Sequence, residues 1–284
     1  MLCPRCSSKL NDHLTCESHH SFQLHNGVPA LVTPEFKQRL DVFTDNLVKY
    51  RQQEENRKIK ESLFDELPFT RDVPQAYLWN AKQLDLEFIE QFTADKKGLR
   101  ILEVGAWNGW LSNRLSKSGH QVWAIDYLND EYDGLGAHKH YTNQEWRPLQ
   151  VDLNDLSLFK DEKFDLIIVN RCSIFFTNPF STFDFLKTLL CDQGSLLITG
   201  LQIVKNWKRE KERIETMKKV FFANHGFEMF MFPIKGYFNT DNLKELRVSG
   251  FRIVHFPHNW KNWVKRNLLP NSHFNCLAIY SSKP

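Results

Sequence analysis

Ile101-Leu-Glu-Val-Gly-Ala-Trp-Asn-Gly-Trp110, followed by Val122-Trp-Ala-Ile-Asp126, reads as a buried strand, a glycine turn, a helix and a second buried strand ending in a carboxylate. That succession is a nucleotide-cofactor half-site. A glycine turn at the carboxyl end of the first strand lets the backbone approach a ligand, and the helix after it presents free N–H groups. The dinucleotide fingerprint G-x-G-x-x-G needs its second glycine where a pyrophosphate passes. Here Gly105 and Gly109 are separated by Ala106, Trp107 and Asn108. Trp107 stands in the place of the second glycine, and no glycine occupies the third spacing. A pyrophosphate would be crowded, which argues against NAD(P).

Outward from this stretch, strand and helix patterns alternate. The expected strands are Arg100–Val104, Gln121–Ile125, Arg147–Val151, Phe164–Val169, Gly194–Thr199, Phe251–His255 and Phe274–Tyr280. Helices are expected at Trp110–Lys117, Leu135–Tyr141 and Pro179–Leu190, with others at Asn206–Val220 and Asp241–Val248. The apolar runs Leu166-Ile-Ile-Val169 and Leu196-Leu-Ile198 suit central parallel strands covered on both faces. The pattern predicts an α/β, doubly wound sheet. Before it, a helical pattern begins near Pro74, and Gln52–Glu61 reads as a solvated helix or linker. The chain thus divides into residues 1–33, a helical segment 34–96 and a main domain 97–284.

The formal charge of +3 is too small to demand a nucleic-acid partner. No apolar run reaches the roughly 18 residues that span a bilayer, so no membrane partner is expected. The N-terminus lacks an apolar signal core and carries Cys3 and Cys6 instead, which suggests a cytoplasmic location. Three of the six cysteines fall within the first 16 residues. That asymmetry points to a metal site rather than to a disulfide framework. Cys3-Pro-Arg-Cys6, Cys16 and His20 have the spacing C-x2-C-x9-C-x3-H of a closed structural zinc site, with His19 as a geometric alternative to His20. So short a unit cannot build a core, and the metal would supply its folding energy.

The ordered set Glu103, Gly105, Gly109, Asp126, Val151-Asp152-Leu153 and Phe164–Asn170 resembles the class I S-adenosylmethionine (SAM)-dependent methyltransferases over about residues 97–200. The resemblance implies a Rossmann-like seven-stranded sheet. It places Glu103, Gly105, Ala106, Trp107 and Gly109 around the methionine end of SAM. Asp126, with Tyr127 beside it, would meet the ribose hydroxyls. Asp152 would accept the adenine amino group with Leu153 against the ring, and Asn170 would sit where methyl group and substrate meet. The family pattern is usually G-x-G-x-G, and Trp107 replaces its middle glycine. Asp133-Gly-Leu-Gly-Ala137 resembles a bacterial subgroup with an N-terminal zinc ribbon. The first 33 residues also resemble the ribbon of ribosomal-RNA guanine methyltransferases. In short ribbons of this kind a Cys-x-x-x-His-Ser-Phe pattern precedes a Gly-Val-Pro turn, which favours His20 as the ligand.

The acceptor is less legible. Asn170-Arg-Cys-Ser173 lacks the Asn/Asp-Pro-Pro-aromatic pattern of amino-directed nucleic-acid methyltransferases. Cys172 lacks the proline that precedes a cytosine-attacking thiolate, and reads as a core thiol. Candidate bases are His138, His140, Tyr141, His225, Tyr237, His255 and His258, and no single one stands out. The leading expectation is methyl transfer to a small molecule or biosynthetic intermediate. Two basic, tryptophan-bearing stretches, Lys205–Lys211 and the loop segment Trp260–Arg266, keep RNA as an alternative acceptor. A binding protein whose pocket is degraded by Trp107 is the non-enzymatic alternative.

Overall fold

The computed structural model describes residues 1–52, 58–255, 260–270 and 272–282. Its backbone forms two compact units, Met1–Ile167 and Ile168–Pro284.

The first unit begins with a hairpin, β1 (Leu24–His25) and β2 (Val28–Leu31). Asn26 and Gly27 turn it, both with positive φ, which matches the right-handed twist of the flanking strands. Helix α1 (Pro34–Gln52) and helix α2 (Ala76–Thr93) follow. Residues 53–57 of the expected solvated linker lie outside the described residues. Then come β3 (Arg100–Val104), α3 (Trp110–Lys117), β4 (Gln121–Asp126) and β5 (Arg147–Val151). The strand order is β1-β2-β5-β4-β3. Strands β2 to β3 run parallel, with Ala30 beside Gln150, Asp126 beside Gln150 and Val104 beside Ile125. Ile101, Leu102, Val104, Ala124, Ile125 and Val151 are wholly buried, as parallel strands covered on both faces require. Leu111 and Leu115, one turn apart on α3, are buried with them.

The segment expected as a helix at Leu135–Tyr141 is a 3-10 helix, Leu135–His140. Asp130 gathers the N–H groups of Tyr132 and Asp133, each at 2.8 Å, into a tight turn before it. Gly134 and Gly136 then pass so close to residues 128–130 that an added Cβ would lie 2.4 and 2.9 Å from backbone atoms. That packing holds the segment in a short, tight coil.

Strand β6 (Phe164–Asn170) begins in the first unit and ends in the second. The second unit contains α4 (Pro179–Thr188), β7 (Leu190–Val204), α5 (Trp207–His225), β8 (Phe238–Asn239) and α6 (Thr240–Val248). It closes with β9 (Arg252–His255), α7 (Trp260–Asn267) and β10 (His273–Ser281). Asparagine side chains start the helices: Asn178 caps α4, Asn206 caps α5, and Asn239 with Asn242 forms a capping box on α6. Strand β10 runs antiparallel to both β7 and β9. Strand β7 is much longer than expected because β10 pairs along it from Val204 to Ser195.

Ten strands are described, not the seven expected; β1, β2 and β8 are additional. The expected loop before β10 contains α7, while residues 256–259, including His258, lie outside the described residues.

Candidate functional site

The turn after β3 is held from beneath by β4. The N–H groups of Gly105 and Ala106 both donate to the Ile125 carbonyl, at 2.9 and 3.0 Å. The Trp107 N–H donates to Asp126 Oδ2 at 2.8 Å, and the Leu128 N–H donates to Asp126 Oδ1 at 2.9 Å. Asp126 therefore ties the glycine turn to the loop that leaves β4. Its carboxyl is buried, and burial pushes its pKa up to about 6 against the pull of these N–H groups. Glu103, two positions before Gly105 and beside Ala124 of β4, is fully buried and accepts the Ser112 hydroxyl of α3 at 2.5 Å.

Trp107 has φ +53, the left-handed conformation that glycine adopts at little cost. For a tryptophan it costs about 1 kcal/mol. Its surroundings offset that cost. The indole Nε1 donates to Asp133, and Asp133 pairs with Arg51 of α1 at 2.6 Å. The indole lies 5.7 Å from the Trp79 ring of α2, and the Lys82 ammonium sits over both rings, at 3.6 Å from Trp79 and 4.3 Å from Trp107. The side chain is thus engaged by α2 and the 130s loop, with Arg51 of α1 bracing Asp133, while its peptide N–H still serves Asp126. Arg51, Trp79, Lys82 and Asp133 were not among the expected site residues. Only tertiary contact brings them to the turn, although Asp133 opens the glycine motif noted in the sequence.

Gly109, φ +77, has a packing reason of its own, since an added Cβ would meet the Trp146 ring at 2.3 Å. Tyr127 is half-buried, and its carbonyl accepts Gln150 Nε2 at 2.9 Å. Asp152 accepts the Asn154 N–H at 2.8 Å, and burial raises its carboxyl pKa. Leu153 is buried beside it. Because β4 and β5 are adjacent and parallel, Asp126, Tyr127, Asp152 and Leu153 all lie at one carboxyl edge. A groove of about 180 Å3 adjoins that edge, lined in part by Leu40, Thr44 and Val48 of α1 and by Leu128 and Gln150. Asn170 belongs to the second unit, where it ends β6 and accepts the Thr199 hydroxyl at 2.9 Å.

The candidate bases of the first unit have structural partners. His138 Nε2 lies 3.1 Å from the Asn26 carbonyl, and His140 Nε2 lies 3.1 Å from that of Glu131. The Tyr141 hydroxyl donates to the Asn108 carbonyl at 3.0 Å, and burial pushes its pKa well up. In the second unit, His225 packs 4.6 Å from Phe221, Tyr237 is half-buried, and burial lowers the pKa of His255.

At the N-terminus, one ligand atom each from Cys3, Cys6, Cys16 and His20 lies within 4.8 Å of all the others. The Cys6 and Cys16 sulfurs are 3.6 Å apart, and Cys3 Sγ is 3.6 Å from His20 Nδ1. A tetrahedral zinc with bonds of about 2.3 Å places its sulfurs about 3.8 Å apart, so the donor set fits. His19 is exposed, with a left-handed backbone, and is not part of the cluster. Its geometry turns the chain so that His20, not His19, faces the cysteines.

The cluster is fastened to the rest of its unit. The Met1 ammonium meets Glu162 at 2.7 Å, and Glu162 also holds Arg100 at 3.0 Å. The Leu2 N–H donates to the Leu158 carbonyl at 2.8 Å. Asn26 Nδ2 donates to the Asn129 carbonyl at 2.7 Å, and Asn129 Nδ2 returns a bond to the His25 carbonyl at 2.6 Å.

Residues 77–255, more than half of the chain, match the family model described as a methyltransferase domain. Two curated relatives from Actinobacillus pleuropneumoniae, both named ubiquinone biosynthesis O-methyltransferase, are 25% and 24% identical over 195 residues, spanning 66% of this chain and 83% of theirs. Among solved structures, the chain is similar to the YcgJ protein of Bacillus subtilis, with TM-score 0.49, 12% identity and coverage of 71% of this chain and 99% of that one. It is also similar to the magnesium protoporphyrin IX methyltransferase of Synechocystis with bound S-adenosylhomocysteine, with TM-score 0.45, 15% identity and coverage of 72% and 85%. Among the described residues, no helix is long and apolar enough to cross a membrane. By its family match, this chain belongs to the methyltransferase-domain family, as a class I SAM-dependent methyltransferase.

Proposed function

We propose that the chain transfers a methyl group from SAM to a small-molecule acceptor, and that a structural zinc ion organises its N-terminus. The observation that carries the cofactor reading is the buried Asp126 carboxylate, tied to the Trp107 N–H at the carboxyl edge of β4. Each of its oxygens accepts one backbone N–H and keeps acceptor capacity for the two ribose hydroxyls. Asp152, whose Oδ1 already serves Asn154, would take the adenine amino group, with Leu153 against the ring. Glu103, Gly105, Ala106 and Trp107 would surround the amino-acid end, with Gly109 shaping the turn; Tyr127 would flank the ribose. Asn170 keeps its role on the family pattern alone. The engagement of the Trp107 indole by Trp79 and Asp133 supports a turn that remains usable despite the missing glycine.

When bound, SAM supplies an electrophilic methyl group on a sulfonium. The contribution of these residues is to hold and orient, since an in-line displacement depends first on alignment. The small-molecule class is supported by the curated relatives named as O-methyltransferases. Cys3, Cys6, Cys16 and His20 would hold the zinc with four protein ligands, leaving no open position for chemistry.

Calorimetric titration of the metal-loaded chain with SAM and with S-adenosylhomocysteine tests this reading. Binding is expected, weakened roughly ten-fold or more by Asp126→Ala as a charge-assisted hydrogen-bond acceptor is lost. No binding of either compound would overturn it. Transfer of labelled methyl to RNA, and not to small hydroxylated acceptors, would overturn the acceptor class alone.

A further inference from the structure

In the second unit, the segment that leads into β8 lies at the carboxyl end of β6. Strand β10 takes one edge of β7, from Val204 to Ser195. Strand β8 pairs with Ile203 and Val204, so it uses the other edge, the one that β6 takes earlier along β7. Strand β6 stops at Asn170, whose Oδ1 accepts the Thr199 hydroxyl, and Arg171 packs against Gly200. From Gly200 to Ile203 a strand advances about 10 Å, so β8 continues along that edge beyond Asn170. Two backbone bonds fasten the approach to β8 onto the loop that leaves β6. The Lys235 N–H donates to the Phe176 carbonyl at 3.0 Å, and the Gly236 N–H to the Ile174 carbonyl at 2.8 Å. An open α/β sheet binds its ligands outside the carboxyl ends of its parallel strands.

Lys235 stands there without a counter-charge. Its Nζ lies 5.7 Å from the centre of the Phe238 ring and 6.0 Å from those of Phe180 and Tyr237. Phe238 is wholly buried, and Phe180 packs on it at 6.2 Å. Lys235 is itself half-buried. Among the described residues its ammonium makes no hydrogen bond and no ion pair, and Glu245 acts on it only through space. Loss of hydration lowers its pKa. The Tyr237 hydroxyl, half-buried two residues on, also makes no hydrogen bond among the described residues. Lysines that serve the fold of this unit are satisfied. Lys205 Nζ donates to the carbonyls of Lys265 and Leu269, and Lys187 Nζ to Asp184 and to the Ser249 carbonyl. Rings at about 6 Å, the outer limit of cation–π attraction, replace little of the hydration that Lys235 gives up.

Given the proposed transfer to a small molecule, on which this assignment rests, we infer that Lys235 receives a carboxylate of the methyl acceptor. The acceptor is then a small carboxylic acid with a flat, unsaturated body. An ammonium–carboxylate bond is strongest where water is partly excluded. The rings of Phe180 and Tyr237 offer their faces to the body of such a molecule, and the Tyr237 hydroxyl offers a further donor. A neutral acceptor would leave the cation without a partner. Lys235 thus acts on specificity, by selecting the charge of what is bound.

Calorimetric titration of the metal-loaded chain, first saturated with S-adenosylhomocysteine, tests the assignment with two pairs of probes of matched shape: benzoate against benzamide, and cinnamate against cinnamamide. Each acid is expected to bind about ten-fold or more tightly than its amide. Lys235→Met should erase that preference at an unchanged melting midpoint, while the affinity for S-adenosylhomocysteine stays that of the native chain. Should Lys235→Met not fold, the native chain is titrated again at raised salt, where the acids should weaken and the amides should not. Acids and amides bound equally, neither bound, or a preference that survives Lys235→Met or is indifferent to salt overturns the assignment alone. Failure of the native chain to bind S-adenosylhomocysteine overturns the cofactor reading first, and this assignment with it.

Discussion

Asp126 meets opposing demands at the level of a single residue. Burial disfavours its charge, while the N–H groups of Trp107 and Leu128 favour it, and burial wins, leaving the pKa at about 6. The sign of the pH effect follows. In the unfolded chain the group ionises near 3.8, so between about 4 and 6 the folded chain holds a proton that the unfolded chain has released. The contribution to folding is fully present below 3.8 and is lost as pH rises through about 6, on the order of 3 kcal/mol in all. Ligand binding runs the other way, because ribose hydroxyls need the ionised acceptor. Affinity for SAM is expected to rise from pH 5 to about 7 and then level off. Calorimetry across that range checks it, and Asp126→Asn should flatten the profile. Asp126 was legible in the sequence because a carboxylate ending the second strand is a local signal. The direction taken by the Trp107 indole was not, because Asp133, Arg51, Trp79 and Lys82 come from separate parts of the chain.

Among the elements, those with strong local patterns were read closely. Strands β3 and β5 and helix α3 have the expected boundaries, since each is a short apolar or amphipathic run bounded by a turn. Strand β2 takes in Val28 and Pro29 of the Gly27-Val28-Pro29 turn that the resemblance to short ribbons implies. It becomes a strand because the edge of β5 offers it hydrogen bonds at Ala30 and Leu31. The cysteine cluster therefore precedes, along the chain, a hairpin that continues the sheet. Cys16→Ser, or removal of the metal by a chelator, should release amide protection at Ala30 and Leu31. Protection in the β3–β4 pairing should persist. Hydrogen exchange followed by mass spectrometry separates the two; equal loss at both places would show that the cluster supports the whole unit. Metal analysis of the native chain should return one zinc.

At the scale of the molecule, the first unit depends on its N-terminal segment to cover the free side of β5. Without residues 1–32 that strand becomes an exposed, parallel-sheet edge. The truncated chain is expected to self-associate, and light scattering at increasing concentration measures it; a stable monomer would contradict this role for β2. The sequence alone determined the α/β class, the glycine turn with its trailing carboxylate, and the grouping of Cys3, Cys6 and Cys16 with a histidine, His20 preferred and His19 the alternative. These follow from apolar periodicity and from spacing, which are local properties of a chain. Tertiary structure alone decided that His20 and not His19 faces the cysteines, that β2 extends the sheet, and that the Trp107 indole pairs with Asp133. It also turned the tryptophans of α7 outward, by fastening Asn262 to Asn275. Each of these depends on partners distant in sequence or on a backbone dihedral, and spacing encodes neither.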